Sequence, residues 1–445
     1  MPEGVHNVYI FEVFNTASWS VVLAAPMFLF LQHLNATATI LGIAACLNPI
    51  LNILQIPAAR FVEQTGYRRF VLMGWTTRSF FIVGMAIVAF LPDTVDRTTR
   101  IAVFLLLLFG FNTLRGISAC GLLPWFTHIV PVSRRGEFLA KDQLAGALAS
   151  AGCLFVSGSL LNLHLIGYSF SIVFAIAAVA AFISLYFLRR IPDVPVEKIV
   201  RNENPVPWKD MFLYPPFLKY LRYNCIVNTA LGASGVFWVR YFRDFLHISN
   251  ANVLYIGSLT TIALAICLFM AGRLIDRSGN KPALTVSGIF LTLHFTGWGL
   301  VAAGILPCDR LVILVQTITS AIGGSLWNLA NMRTVMGIVP EMGRAHFLAL
   351  YSVVANVTVG VVPLLWGPVM DCLSHWHTSW GYWQWNCYSL LYMTMAVTIA
   401  IGLVALRSVE EPKTMTWNVF MHELLVQTPS RAVSRVIGRL RGPGI

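Results

Sequence analysis

Acidic residues are scarce in this chain: Asp and Glu number 19 among 445 residues, and charged side chains of both signs make up only 11%. A soluble protein of that size covers its surface with far more charge. None of the eight cysteines stands in CxxC spacing, so no zinc or redox motif is readable. The period-two alternation of a membrane barrel is absent. The first apolar run is too long for a cleavable signal peptide and is expected to begin the fold itself. What is abundant is hydrocarbon: 57% of the residues are hydrophobic, with a mean hydropathy of +0.71. Apolar runs recur along the whole chain, and about 20 residues suffice to cross about 30 Å of bilayer as a helix. Backbone groups in lipid must bond within their own segment, which makes these runs helices.

The net charge of +12 could suggest a nucleic-acid partner, but its distribution excludes one. The runs read as twelve helices, at 8–34, 38–62, 69–91, 101–129, 138–163, 166–189, 217–242, 251–273, 282–305, 310–339, 346–373 and 387–408. With a cytoplasmic start, Arg97, Arg100, Arg240, Arg243 and Arg310 fall on the outer side, and Arg78 and Arg115 fall within helices. The other 24 of the 31 Lys and Arg fall on the cytoplasmic side. This bias predicts a multi-pass protein of the plasma membrane with both termini in the cytoplasm. Cys372 and Cys387 flank the last outer loop; two small apolar side chains are expected there rather than a disulfide.

The longest connection is polar and punctuated by Pro192, Pro195, Pro205 and Pro207. It divides the chain into a six-helix bundle over 1–190, a cytoplasmic linker over 191–216 and a second bundle over 217–409. An internal repeat agrees. Arg60-Phe61-Val62-Glu63-Gln64-Thr65-Gly66 is matched by Arg273-Leu274-Ile275-Asp276-Arg277-Ser278-Gly279, and Asn15-Thr16-Ala17 by Asn228-Thr229-Ala230. Ile129-Val130-Pro131 with Arg135 recurs as Ile338-Val339-Pro340 with Arg344. The tail, 410–445, carries apolar stripes beside Arg431, Arg435 and Arg439, and is expected to lie on anionic lipid of the inner leaflet.

Gly272, Asp276, Arg277, Gly279 and Lys281 resemble the loop signature of the major facilitator superfamily. The counterpart after helix two departs from it, with Ala59 for glycine, Glu63 for aspartate and Gln64 for the first basic residue. The resemblance covers essentially the whole chain. It implies an all-α membrane protein of two pseudo-symmetric six-helix bundles around a central solute site. It also implies gating by Glu63, Gly66, Asp276, Arg277 and Gly279, with Arg135 and Arg344 completing the contact when the outside is open. The glycine-proline pair of the family's drug–proton antiporters is missing from helix five, which lowers a drug-efflux reading.

Polar side chains inside lipid are costly and each needs a reason. Arg115 lies about 21 Å along helix four from either membrane face, too deep to snorkel. The resemblance places helices one, four, seven and ten around the cavity. The substrate-binding candidates are accordingly Arg115 and Asn112, Asn15 and Trp19, Asn48 and Asn52 on helix two, Asn228, and Trp327, Asn328 and Asn331. Arg78 is expected to contact Asn52 or Gln55 instead. Glu12, on the face of Asn15 and Trp19, is the coupling candidate; Asp142, Asp371 and His294 are weaker ones. The cluster Asp371, Cys372, His375 and His377 matches no metal or triad spacing, so no enzyme and no cofactor is expected. Trp376, Trp380, Trp383 and Trp385 around it read as an interfacial belt. The expectation is a monomeric secondary transporter of a small polar or anionic solute, with proton coupling open. An uncoupled facilitator and a non-transporting sensor on the same fold are the alternatives.

Overall fold

The computed structural model describes residues 5–92, 94–131, 134–163, 168–195, 214–340 and 344–410. Most of the linker, 196–213, and the tail, 411–445, lie outside the described residues, as do the side chains of Glu63, Asp276, Arg277 and Arg344. The chain is a bundle of long helices. In order they are α1 Val5–Val22, α2 Ala25–His33, α3 Ala38–Asn52, α4 Gln55–Thr65, α5 Tyr67–Phe90, α6 Arg97–Ile129, α7 Arg135–Asn162 and α8 Ser169–Leu188. Then come α9 Pro215–Arg240, α10 Asn250–Ser278, α11 Asn280–Ala302, α12 Arg310–Ile338, α13 Arg344–Cys372 and α14 Cys387–Leu406. The strands β1 Thr378–Trp380 and β2 Trp383–Trp385 make one small antiparallel hairpin. Ten helical stretches are long and apolar enough to cross a membrane, and the bent pair α3–α4 makes an eleventh. Pro215–Arg240 is as long but more polar.

Two of these rods are broken by proline, which lacks the N–H and crowds the carbonyl four residues back. Four residues before Pro26 is Val22, where α1 stops. Four before Pro57 is Ile53, in the gap between α3 and α4, and the pair bends by 40° there. Helix starts at the hairpin end are capped by short oxygen-bearing side chains. Thr37, Asp96, Ser249, Asp309 and Asn386 each accept a backbone N–H of the first turn. The reversals α4–α5 and α10–α11 pass through Gly66 at φ +81° and Gly279 at φ +87°. Only glycine enters that region freely.

Helices α1 to α8 pack among themselves, as do α9 to α14, and the two halves meet through α3 on α13 and α7 on α10. Both seams concentrate toward the hairpin end. Ser258 Oγ donates to the Ala151 carbonyl at 2.8 Å, and Tyr255 lies against Ser159. On the other seam α13 presses its backbone onto α3. A β-carbon on Gly42 would overlap the Pro363 carbonyl, and one on Gly367 would stand 2.7 Å from Thr39 Cα. The buried apolar residues follow the same division. One cluster runs through both halves, from Phe28, Phe104 and Phe174 to Phe237 and Tyr392. A second, with Phe11, Trp75, Trp125 and Phe138, belongs to the first half alone, toward the linker end.

Candidate functional site

The first half holds a chain of polar contacts at mid-bundle. α5 brings Trp75 and Arg78 one turn apart, and both reach Asn15 on α1. Trp75 Nε1 donates to Asn15 Oδ1 at 3.2 Å, and an Arg78 guanidinium nitrogen donates to the same oxygen. Asn15 Nδ2 in turn points to Glu12 at 3.4 Å. Thr16 Oγ1 donates to the Glu12 carboxylate at 2.6 Å and accepts from Trp19 Nε1 at 3.2 Å. The Arg78 guanidinium lies over the Trp75 ring, 4.0 Å from its centroid, and is 4% exposed. Cation–π attraction of this kind strengthens once water is excluded. Arg78 thus joins α1 and α5 rather than Asn52 or Gln55 on helix two. A Trp-x-x-Arg spacing inside an apolar run is a sequence signal for the Arg78–Trp75 stack, though not for the Asn15 partner.

Arg115, near the middle of α6, donates from Nη1 to Asn48 Oδ1 on α3 at 2.5 Å and is half-buried. The two helices cross closely beside it, where a β-carbon on Gly116 would run into the Leu51 carbonyl. Asn112, one turn away, is buried and donates to the Leu108 carbonyl at 2.9 Å, leaving Oδ1 unpartnered. Asn52, Trp19 and Glu12 are half-buried, like Arg115. Asp142 on α7 is half-buried as well, with Oδ1 unpartnered, and interacts electrostatically with Glu12.

The second half is different in kind. Asn331 Oδ1 accepts from Asn224 Nδ2 at 2.9 Å and from the Tyr220 hydroxyl; its Nδ2 donates to Tyr351 Oη at 2.7 Å. Asn228 Nδ2 donates to Asn224 Oδ1 at 2.7 Å. Trp327 is buried, edge-on to Tyr223 at 5.7 Å, and Asn328 is exposed. Ser352 and Asn356, one turn apart on α13, are also half-buried and joined at 3.3 Å. They were not among the sequence candidates, although their i, i+4 spacing is a readable polar stripe.

Asp371, at the end of α13, closes the hairpin-end seam. Its carboxylate accepts from Ala38 N at 2.8 Å, Thr39 N at 2.9 Å and Thr39 Oγ1 at 2.7 Å, capping α3 in the opposite half. Arg240 Nη1 completes the contact at 3.1 Å, while its Nε reaches Asp244 at 3.2 Å. An anion against a helix N-terminus is favoured by the dipole and by its free N–H groups. Arg135 Nε donates to the Thr127 and Val130 carbonyls at 3.0 and 3.3 Å, closing the end of its neighbour α6. His294 is half-buried and bonds to the Gln316 carbonyl at 3.0 Å, a packing contact. Cys372 and Cys387 are free thiols. Among the described residues no group of His, Cys, Asp or Glu could hold a metal ion.

The family model described as Major Facilitator Superfamily matches residues 8–315. An uncharacterized MFS-type transporter of Mycobacterium tuberculosis is 28% identical over 163 residues, 36% of this chain; the match spans 24% of that relative's length. Among solved structures, the D-xylose-proton symporter superposes with a TM-score of 0.70 at 14% identity, covering 92% of this chain and 99% of that one. The nucleoside transporter NupG gives 0.67 at 12% identity over 92% and 99%. The inward-open xylose transporter XylE of E. coli gives 0.63 at 16% identity over 94% and 96%. At such identities the likeness is one of fold.

Proposed function

The chain belongs to the major facilitator superfamily, and from that premise we propose that it is a secondary transporter carrying a small polar or anionic solute by alternating access. It sits in the plasma membrane as a monomer, with both termini in the cytoplasm. The hairpin end is then the outer end. The observation that carries the reading is Arg115: a guanidinium halfway through the bundle, half-buried, hydrogen-bonded to the neutral amide of Asn48. A cation kept at that depth faces water or a ligand.

The state is inward-open. Asp371 grips α3 at the outer end, while at the linker end the first half keeps a separate apolar cluster. In the outward-open state Glu63, Asp276 and Arg277 bridge the inner ends instead, with Arg135 and Arg344 beside them, and the glycine turns Gly66 and Gly279 hold those loops. Asn15, Asn48, Asn52, Asn112, Trp19, Asn228, Trp327, Asn328 and Asn331 belong to the walls that carry or support the solute site. The basic tail rests on anionic lipid.

A thermal-shift screen of solutes on purified protein tests the site. A solute that stabilises the wild type and leaves Arg115→Ala unmoved names the class and the residue. Equal shifts in both remove Arg115 from the site. Coupling is a separate question: an uncoupled facilitator accumulates no solute against a gradient, and Glu12→Gln then changes nothing.

A further inference from the structure

The charges of the first half do not balance by contact. Two guanidinia, Arg78 and Arg115, are held inside the bundle, and among the described residues no carboxylate stands within ion-pair distance of either. Arg78 Nε has no hydrogen-bond partner although it is sealed from solvent. Glu12 interacts electrostatically with both guanidinia but reaches Arg78 only through Asn15, and spends its oxygens on Thr16 and Asn15. The elements packed on α1 add one more charge at this level, Asp142 on α7; α8 brings only the exposed phenol of Tyr186. Two cations thus stand with one acid, Glu12, acting on them at a distance, and a second, Asp142, acting on Glu12. A buried charge without a contact partner is costly, because nothing repays its desolvation. Such an arrangement persists where a ligand supplies the missing partner.

Resting on the transporter reading above, we infer that the solute is an oxyanion, carboxylate or phosphate, taken up on Arg115 with Arg78 behind it, and that Glu12 is the exchangeable counter-ion that makes room for it. With Glu12 and Asp142 ionised, the four groups sum to zero. A proton from the aqueous phase added to the Glu12 carboxyl leaves one positive charge, and one negative charge on the solute restores neutrality. One proton and one anionic group therefore enter together, and leave together when the opposite face opens. The second half needs no charge for this: its amides and phenols can meet the hydroxyl or carbonyl end of the same solute. Arg78, which is buried, acts as a positioning residue through Asn15.

The sign of the field can be read without knowing the solute. Asn52→Cys, on the half-buried face of α3 beside Arg115, is labelled with a sulfonate-bearing and with a trimethylammonium-bearing methanethiosulfonate. Each rate is normalised to a free thiol and corrected for the native cysteines. The sulfonate is expected to react about tenfold faster than the ammonium reagent, because a low-dielectric cleft focuses the field. Arg115→Gln should bring the ratio to about one, and Arg115→Lys should keep it well above one. The ratio should rise as pH falls, whereas Glu12→Gln should hold it at its high value across the range. A preference for the ammonium reagent, or indifference to Arg115→Gln in a protein whose Arg115→Lys variant folds, would overturn the oxyanion assignment and leave a wet transport site. A Glu12→Gln ratio equal to wild type at every pH would overturn the exchange. Failure of both reagents to reach Asn52→Cys would sink the chamber itself, and the transporter reading with it.

Discussion

The two halves share a six-rod plan but solve the problem of buried polarity in opposite ways. In the second half, Tyr220, Asn224, Asn228, Asn331 and Tyr351 satisfy one another with neutral donors and acceptors. In the first, Arg78, Arg115, Glu12 and Asp142 are ionisable, and Arg78 Nε and Asp142 Oδ1 lack partners. A neutral network fixes the mutual positions of three helices and offers a ligand no uncompensated charge. An unsaturated charged one is costly to maintain and is kept where something binds. Duplication of a fold therefore need not duplicate its chemistry.

The contrast can be broken most directly at the two asparagine hubs. Asn15→Leu strips the acceptor from a sealed guanidinium and is expected to destabilise the protein by about 3–5 kcal/mol. Asn331→Leu removes neutral bonds worth about 0.6 kcal/mol each inside a membrane protein, for a total loss of about 1–2 kcal/mol. Thermal unfolding in detergent measures both. Equal losses would mean the halves are held together alike. A smaller effect is expected where one half grips the other. Asp371→Asn keeps the shape but loses the charge-assisted part of bonds worth about 1.5–3 kcal/mol each, less what solvent screens at a half-exposed site. Spin labels at Leu163 and Leu306 should then report a widened population at the hairpin end; an unchanged distance distribution would show the closure rests on the backbone seam alone.

The smallest effect belongs to the linker-end surface, where Lys219 holds the Glu410 carboxyl below the usual carboxylate range at 2.5 Å. A depressed folded-state value contributes stability above the ordinary carboxylate pKa and loses it as pH falls through the depressed one. Both groups stand in solvent, so screening leaves little of it. Glu410→Gln should change neither unfolding temperature nor transport, and a measurable drop would show that surface charge matters more here than buried charge.

The fold was legible because hydrophobic length and charge asymmetry are properties of the chain read one residue at a time. So was the depth of Arg115. Contacts between distant helices were not. Arg78 stood in the apolar run of α5, and nothing in that run says that Asn15, sixty-three residues earlier, faces it. Asp371 looked like an ordinary acid at a helix end, because its partners are backbone N–H groups of Ala38 and Thr39, which every sequence possesses. Trp327 carried the aromatic face a solute could stack on, and its burial against Tyr223 depends on a packing angle that composition does not record.

The bare-backbone crossing of α3 and α13 has a mechanical side. Where Gly42 meets Pro363 and Gly367 meets Thr39, no rotamers interlock, so the surfaces can turn on each other like a smooth bearing instead of meshing gears. A single methyl at Gly42 would be grit in that bearing. Transport would stall while solute still bound, and the protein would be arrested rather than unfolded.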